Sequence, residues 1–295
     1  MEQAEQLFSG AASADYVIKP ILIFYGFSQA CRAMAASSSA LDHETFRPRS
    51  HGLEVTAQPA VLADLKVAPR HEASTSMLAT LQTMLGSTPW SEPLTLGQLW
   101  SANPDLAEVP LPDCAAPEAL RIGINQISSD PAIPLQVRIS QLSRRLLTGT
   151  DESDVQQLLS TTYPIVADTL PPNPPQFGGK PPPTIDGDDV KVNVLRSLPL
   201  DGRDLTQVIE QRTMWRDSQS WLIPRLGGTV GPPHLLVVWW ALLFALSMRA
   251  RYDPERWTRD LDPDQSASSA VVLETMLDMS MGICPELLVE TMPSV

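Results

Sequence analysis

The residues with the clearest capacity for chemistry lie in one short turn, whose sequence is Arg47-Pro-Arg-Ser-His51. An imidazole can accept or donate a proton near neutral pH, and a guanidinium group can hold a phosphate. His51 as base or acid, with Arg47 or Arg49 as the phosphate holder, would suit phosphodiester cleavage without a metal. The structural alternative is that His51 braces the start of the next segment through its ring nitrogens.

A second polar cluster closes the most apolar stretch of the chain. Arg249 and Arg251 fall in the last turn of a predicted helix, with Tyr252 directly after them. Facing a cleft, these three residues would bind an anion, together with Ser50 beside the histidine. Buried against a carboxylate such as Glu255, an arginine here would instead be an internal clamp, and it would also complement the helix dipole.

Other familiar chemistries find no support in the sequence. The chain has four histidines and no HExxH, CxxC, phosphate-loop or GxGxxG pattern. Three widely spaced cysteines suit reduced thiols better than a disulfide framework or a metal site. The sequence therefore predicts no metal and no cofactor.

Composition restricts the class of partner. The 295 residues include 34 Asp and Glu against 21 Lys and Arg, which gives a net charge of −13. Such a charge disfavours non-specific binding to nucleic acid. The N-terminus lacks the basic and apolar regions of a signal peptide, and the run 235–248 is short for a membrane span. We expect a cytoplasmic protein that does not enter a membrane.

Apolar periodicity predicts the elements that must position both clusters. The predicted helices cover 2–13, 17–38, 75–85, 96–102, 151–161, 204–215, 233–252 and 268–281, the last ending at Gly282 with Pro285 beyond it. Alternating apolar residues predict strands around 119–127, 135–139 and 190–194. The proline-rich stretch 171–183 is expected to be a surface loop.

These elements predict a mainly α protein with a small antiparallel β insertion. We expect residues 1–115 and 201–295 to form one helical bundle, with 116–200 as a β-containing insertion that carries the proline-rich loop.

Several segments resemble the YaaC-like family of bacterial proteins. They are Pro20–Met34, Ser50–Leu53, Leu94–Leu99 and Leu243–Trp257, and they occur in the same order across most of the chain. The resemblance implies a bacterial, cytoplasmic, helical protein, and by comparison the chain is expected to lack a leading helix. It does not imply a reaction.

A more distant resemblance is to HEPN domains, which are helical dimers. A Tyr- and Ala-rich helix over 25–36, followed by His51-Gly52, is similar to their pattern. Many HEPN domains are metal-independent ribonucleases of toxin and antiviral systems. The resemblance implies His51 as base or acid and Arg47 or Arg49 as phosphate holder, completed by a second subunit. HEPN nucleases usually place a longer spacing between arginine and histidine.

Three functions therefore stay open. The first is a HEPN-like interaction or assembly subunit of a defence or RNA-related system, as a homo-oligomer or in a protein complex. It is favoured by the acidic charge and by an apolar helix that includes Trp239 and Trp240. The second is a HEPN-type ribonuclease using His51, with RNA as partner. The third is a small-molecule-binding protein with Arg251 as anion anchor.

Overall fold

The computed structural model of the chain describes residues 1–39, 41, 48–70, 76–125, 135–140, 159, 161–163, 184–186, 189–194, 213–229 and 231–292. Two compact units share the chain: Met1–Ala116 with Leu226–Thr229 and Pro233–Val295, and Pro117–Arg225 with Val230–Pro232. The predicted fold class, mainly helical with small antiparallel sheets, is confirmed. The boundaries at 115 and 200 stay a prediction, and residues 171–183 lie outside the described residues.

The first unit is built around helices. Its described helices are α1 Glu2–Ala12, α2 Lys19–Ser37, α3 Met77–Met84, α4 Leu96–Ser101, α5 Leu235–Tyr252, α6 Pro254–Asp260 and α7 Pro263–Thr291. Thr95 and Gln98 form a reciprocal capping box at the start of α4, and Ser76 caps α3. The predicted helices near 2–13, 17–38, 75–85, 96–102 and 233–252 are confirmed to within a few residues.

Helix α5 is the apolar centre of this unit. His234 caps it, because its Nδ1 accepts the amide of Leu236 at 3.2 Å. Burial lowers the pKa of His234 below its ordinary 6.5, which keeps this acceptor unprotonated at neutral pH. Trp239 and Trp240 are both 0% exposed, so within this unit they belong to the core. In the described part of the chain α5 is the one helix long and apolar enough to cross a membrane, but it is 83% buried within the protein, as core helices are.

Helix α2 packs against α5 through aromatic rings. The ring centroid of Phe24 lies 5.2 Å from that of Trp240 and 5.6 Å from that of Phe244. These separations suit edge-to-face contacts between aromatic rings. The candidate site lies against these two packed helices.

The first unit also contains a small sheet that the sequence analysis missed. Strands β1 Leu53–Ala57, β2 Lys66–Pro69 and β3 Leu94–Thr95 pair in that order, all antiparallel. Each strand is five residues or shorter, too short for an alternating pattern to stand out. The sheet matters because β1 begins directly after His51-Gly52.

The second unit is an antiparallel sheet in the order β6-β7-β5-β4-β9-β8. Its strands are β4 Leu120–Asn125, β5 Leu135–Ser140, β6 Thr184–Asp186, β7 Asp189–Val194, β8 Thr213–Arg216 and β9 Gln219–Leu222. The three strands predicted from alternation, β4, β5 and β7, are confirmed and lie side by side.

Two predicted helices are wrong in part. The last residues of the helix expected over 204–215 belong to strand β8 instead. After β8, Asp217 and Ser218 take positive φ and turn the chain into β9. Its earlier residues lie outside the described residues. Helix α7 does not stop at Gly282 but runs through Pro285 to Thr291, because Cys284, Leu287 and Leu288 continue its buried face. All three cysteines are free, as predicted.

Candidate functional site

The turn that carries His51 is held by the start of α3. The amide of Met77 donates to the carbonyl oxygen of Ser50 at 2.9 Å, and the amide of Leu78 donates to that of His51 at 3.1 Å. Both donors belong to the first turn of α3, where amides have no partner inside the helix. The backbone of the turn is therefore fixed by hydrogen bonds to a helix end.

Gly52 is required by the same turn. Its φ is +83°, a region that favours glycine, and its carbonyl accepts the amide of Arg70 at 3.1 Å. A Cβ at this position would come 2.7 Å from Ser76 Cβ and 2.8 Å from Leu78 Cβ. The close approach of the turn to α3 therefore depends on the missing side chain.

Four aromatic rings pack around the imidazole of His51. The ring centroids lie 5.0 Å away for Phe24, 6.0 Å for Phe244, and 6.1 Å for both Tyr25 and Trp240. Phe24, Phe244 and Trp240 are buried, whereas Tyr25 and His51 are half-buried. The histidine thus sits at the edge of the aromatic core with part of its surface in solvent.

Three arginines lie close enough to this histidine for their charges to act on it. Burial is the largest cause that lowers the pKa of His51 below its ordinary 6.5, followed by the charges of Arg32, Arg251 and Arg70. His51 is therefore neutral at pH 7. Its Nδ1 is buried and has no hydrogen-bond partner among the described residues. A neutral imidazole in this position can accept a proton or a hydrogen bond.

Among the described residues, each of the three guanidinium groups keeps N–H donors without a partner. Arg32 donates from Nη1 to the carbonyl of Pro48 at 3.1 Å, and Arg251 donates from Nη1 to Tyr25 Oη at 3.0 Å. Arg70 faces Glu54 at 3.5 Å in an exposed ion pair. Among the described residues, no carboxylate pairs with Arg32 or Arg251. We call Tyr25, Arg32, His51, Arg70 and Arg251 the arginine–histidine site.

The residues that the sequence analysis predicted in the turn differ in their position relative to the site. His51 is at the centre of the site. Arg49 is exposed, and the charges that act on His51 belong to other arginines. Ser50 is half-buried and is anchored through its backbone. Arg47 lies outside the described residues. The binding roles predicted for Arg47, Arg49 and Ser50 stay predictions.

The two arginines predicted at the end of α5 point to different surroundings. Arg251 is exposed and belongs to the arginine–histidine site, and its guanidinium carbon lies 5.1 Å from the ring centroid of Tyr252. Arg249 is 0% exposed and forms the internal clamp that the sequence left open. Its partners are Asp253 and Asp260, whereas Glu255 pairs with Arg259 at 3.0 Å.

The buried clamp ties three segments together. Nε of Arg249 donates to Oδ2 of Asp260 at 3.1 Å, while Nη2 lies 3.1 Å from the same oxygen without the alignment of a hydrogen bond. Nη1 donates to Asp253 at 3.1 Å and to the carbonyl of Pro59 at 3.0 Å. Helix α5 is thereby joined to α6 and to the segment after β1.

The two carboxyl groups of the clamp differ in their pKa. Burial raises the pKa of Asp260, and the Arg249 charge offsets this only in part. Burial also raises the pKa of Asp253. The hydrogen bond from Arg256 and the charge of Arg249 outweigh this effect and hold the pKa of Asp253 below its ordinary value. The arginine is thus engaged by carboxylates of the protein itself.

Sequence reasoning missed Tyr25, Arg32 and Arg70 as site residues. Tyr25 and Arg32 are seven residues apart on α2, which places them on one helix face, as Phe244 and Arg251 are on α5. That spacing could have indicated a shared face. Arg70 directly follows β2, and no local sequence pattern indicates that it lies near His51.

These elements define a mainly helical α+β protein that holds a neutral histidine among arginines. Residues 1–292 match the family described as YaaC-like Protein. Since the match spans nearly the whole chain, the protein belongs to the YaaC-like family, as the resemblance predicted. No curated protein and no solved structure matches the chain.

Proposed function

We propose that this YaaC-like protein binds a ligand that bears a phosphate group, at the arginine–histidine site. The observation that carries the proposal is that arginines lie close to the half-buried His51. The amide of Arg70 donates to the carbonyl of Gly52, and Arg251 donates to Tyr25, whose ring lies 6.1 Å from the imidazole. The charges of both arginines, and that of Arg32, act on His51. Guanidinium groups match phosphate oxygens with paired, charge-assisted hydrogen bonds. In a chain of net charge −13, three arginines whose carboxylate partner among the described residues is Glu54 form a local positive site.

Substituting Arg251 tests this proposal. We expect Arg251→Gln to weaken the binding of inorganic pyrophosphate about tenfold or more, because a hydrogen bond to a charged group contributes about 1.5–3 kcal/mol. The measurement is isothermal titration calorimetry on the full chain. Arg259→Gln is the matched control, since Arg259 is a half-exposed arginine paired with Glu255 elsewhere. Absence of saturable binding in the wild type, or equal loss in both variants, would contradict the proposal.

A second candidate function is metal-independent cleavage of RNA, which the neutral state of His51 favours. His51 would take the proton of a ribose 2′-hydroxyl, whose oxygen attacks the adjacent phosphorus while the arginines stabilise the added negative charge. The bond to the 5′-oxygen breaks. Because Arg251 donates to Tyr25 Oη, the phenol proton of Tyr25 is available to that leaving oxygen. The products are a 2′,3′-cyclic phosphate and a 5′-hydroxyl end.

The pH profile tests this chemistry. We expect cleavage of labelled RNA in EDTA to fall in acid, with a midpoint below pH 6.5, because protonated His51 cannot accept a proton and its pKa is lowered. His51→Gln should abolish the activity with the melting temperature little changed, and Arg259→Gln should retain it. Intact RNA with the wild type at pH 7, or a His51→Gln variant that still cleaves, would rule out this candidate.

The HEPN-like, defence-related and assembly roles stay predictions. Homo-oligomer formation would support the HEPN resemblance, because HEPN nucleases complete their site with a second subunit. The core position of Trp239 and Trp240 removes one of the reasons for expecting an interface on α5. We therefore favour ligand binding over an assembly role alone.

A further inference from the structure

Tyr252 is an exposed aromatic residue at the edge of the arginine–histidine site. It is 64% exposed, although the guanidinium of Arg251 lies 5.1 Å from its ring centroid. The rings packed around His51 from α2 and α5 differ from it, because Phe24, Trp240 and Phe244 are buried. Tyr25 is half-buried, so Tyr252 is the most exposed of the rings beside the site and offers its surface to a ligand.

The backbone around Tyr252 is held at the end of α5. The amide of Asp253 donates to the carbonyl of Arg249 at 3.0 Å, and the Arg249 side chain is itself held by Asp253 and Pro59. Arg251 lies between two tyrosines: it donates to Tyr25 Oη at 3.0 Å and covers part of Tyr252. The bond to Tyr25 holds the guanidinium beside the Tyr252 ring, which lowers the entropy cost of binding a ligand across both.

We propose that the ligand of this site is a nucleotide, with its phosphate on Arg251 and the neighbouring arginines and its base stacked on Tyr252. This inference rests on the proposed phosphate binding and names the class of ligand. A nucleotide joins a negative phosphate to a flat aromatic base through one sugar, and the chain places a guanidinium directly beside an exposed ring. Stacking on a tyrosine accepts any base, because every base offers a π face.

Charge favours a free nucleotide over a long polymer. In the described part of the chain, the arginine–histidine site carries three guanidinium groups and one paired carboxylate, Glu54, which suits the few charges of one nucleotide. The remainder of the chain must then carry the excess of acidic residues that gives −13 overall. An extended polyanion would be repelled by that excess, whereas a single nucleotide meets only the local positive field.

A comparison of two ligands that share a phosphate isolates the base. We expect the wild type to bind AMP about tenfold more tightly than ribose 5-phosphate, because only AMP can stack on Tyr252. Tyr252→Ala should remove this difference by weakening AMP alone, and Tyr252→Phe should preserve it. Since Tyr252 is exposed, unchanged melting temperatures of both variants confirm that the fold is intact.

The outcomes separate the two proposals. If AMP and ribose 5-phosphate bind equally well, or if Tyr252→Ala keeps the preference for AMP, the nucleotide inference is wrong and phosphate binding stands. If the wild type binds neither ligand and also fails to bind pyrophosphate, phosphate binding itself is overturned, and the inference falls with it.

Discussion

Replacing Arg249 with alanine is expected to lower the free energy of unfolding by about 3–5 kcal/mol, the usual cost of breaking a buried ion pair by removing one partner. Arg249 is completely buried, and its loss leaves the carboxyl groups of Asp260 and Asp253 without their shared cation. The carbonyl of Pro59 also loses its donor. Urea unfolding followed by circular dichroism measures the change.

Two further variants show whether charge causes this effect. Arg259→Ala removes an arginine from the exposed pair with Glu255 and should cost no more than about 0.5 kcal/mol. Combining Arg249→Met with Asp260→Asn should recover part of the loss seen with Arg249→Met alone, because the uncompensated charge disappears. A loss at Arg249 as small as that at Arg259 would show that the clamp does not stabilise the fold.

The second large effect is expected at the glycine after His51. Gly52→Ala should destabilise the protein by about 2–5 kcal/mol, since a positive φ costs an ordinary residue about 1–2 kcal/mol and overpacking costs a further 1–3 kcal/mol. The φ of +83° and the 2.7 Å approach of the added Cβ to Ser76 Cβ are the physical reasons. Urea unfolding again provides the measurement.

Gly282→Ala is the matched control for this substitution. Gly282 lies inside α7, has no atom within 4 Å of an added Cβ, and should become slightly more stable as alanine, by roughly 0.5–1 kcal/mol. Gly52→Ala should also weaken pyrophosphate binding, because the turn positions His51. Equal stability of Gly52→Ala and the wild type would mean that the turn tolerates a side chain.

The helical part of the fold could be predicted because its apolar residues repeat at helical spacing. Helices α1 and α2 follow that pattern, α5 is a continuous apolar run as long as a helix, and strands β4, β5 and β7 follow the alternation of a half-buried sheet. Helix α7 shows the limit of the method. Gly and Pro usually end a helix, but burial of Leu287 and Leu288 outweighs them here. Such tertiary packing cannot be predicted from the local sequence.

The candidate site could be predicted only at its centre. His51 stood out because an imidazole followed nearby arginines and preceded a glycine. The arginines that act on it come from α2, from the end of β2 and from the end of α5, and chain proximity to His51 indicates none of these. For the same reason the sequence left open whether Arg249 faces a ligand or the interior. The fold places Asp260, at the end of α6, against the Arg249 side chain on α5.

The pairing of α2 with α5 affects how the protein is made. Tyr25 and Arg251 are 226 residues apart, so the N-terminal helices leave the ribosome long before their partner exists. At typical rates of synthesis the delay is roughly 10–50 s. During that interval the apolar surface of α2 that later packs on α5 lacks its partner, and contacts so distant in sequence form slowly. Nascent chains of this protein should therefore depend on chaperones until α5 has been synthesised.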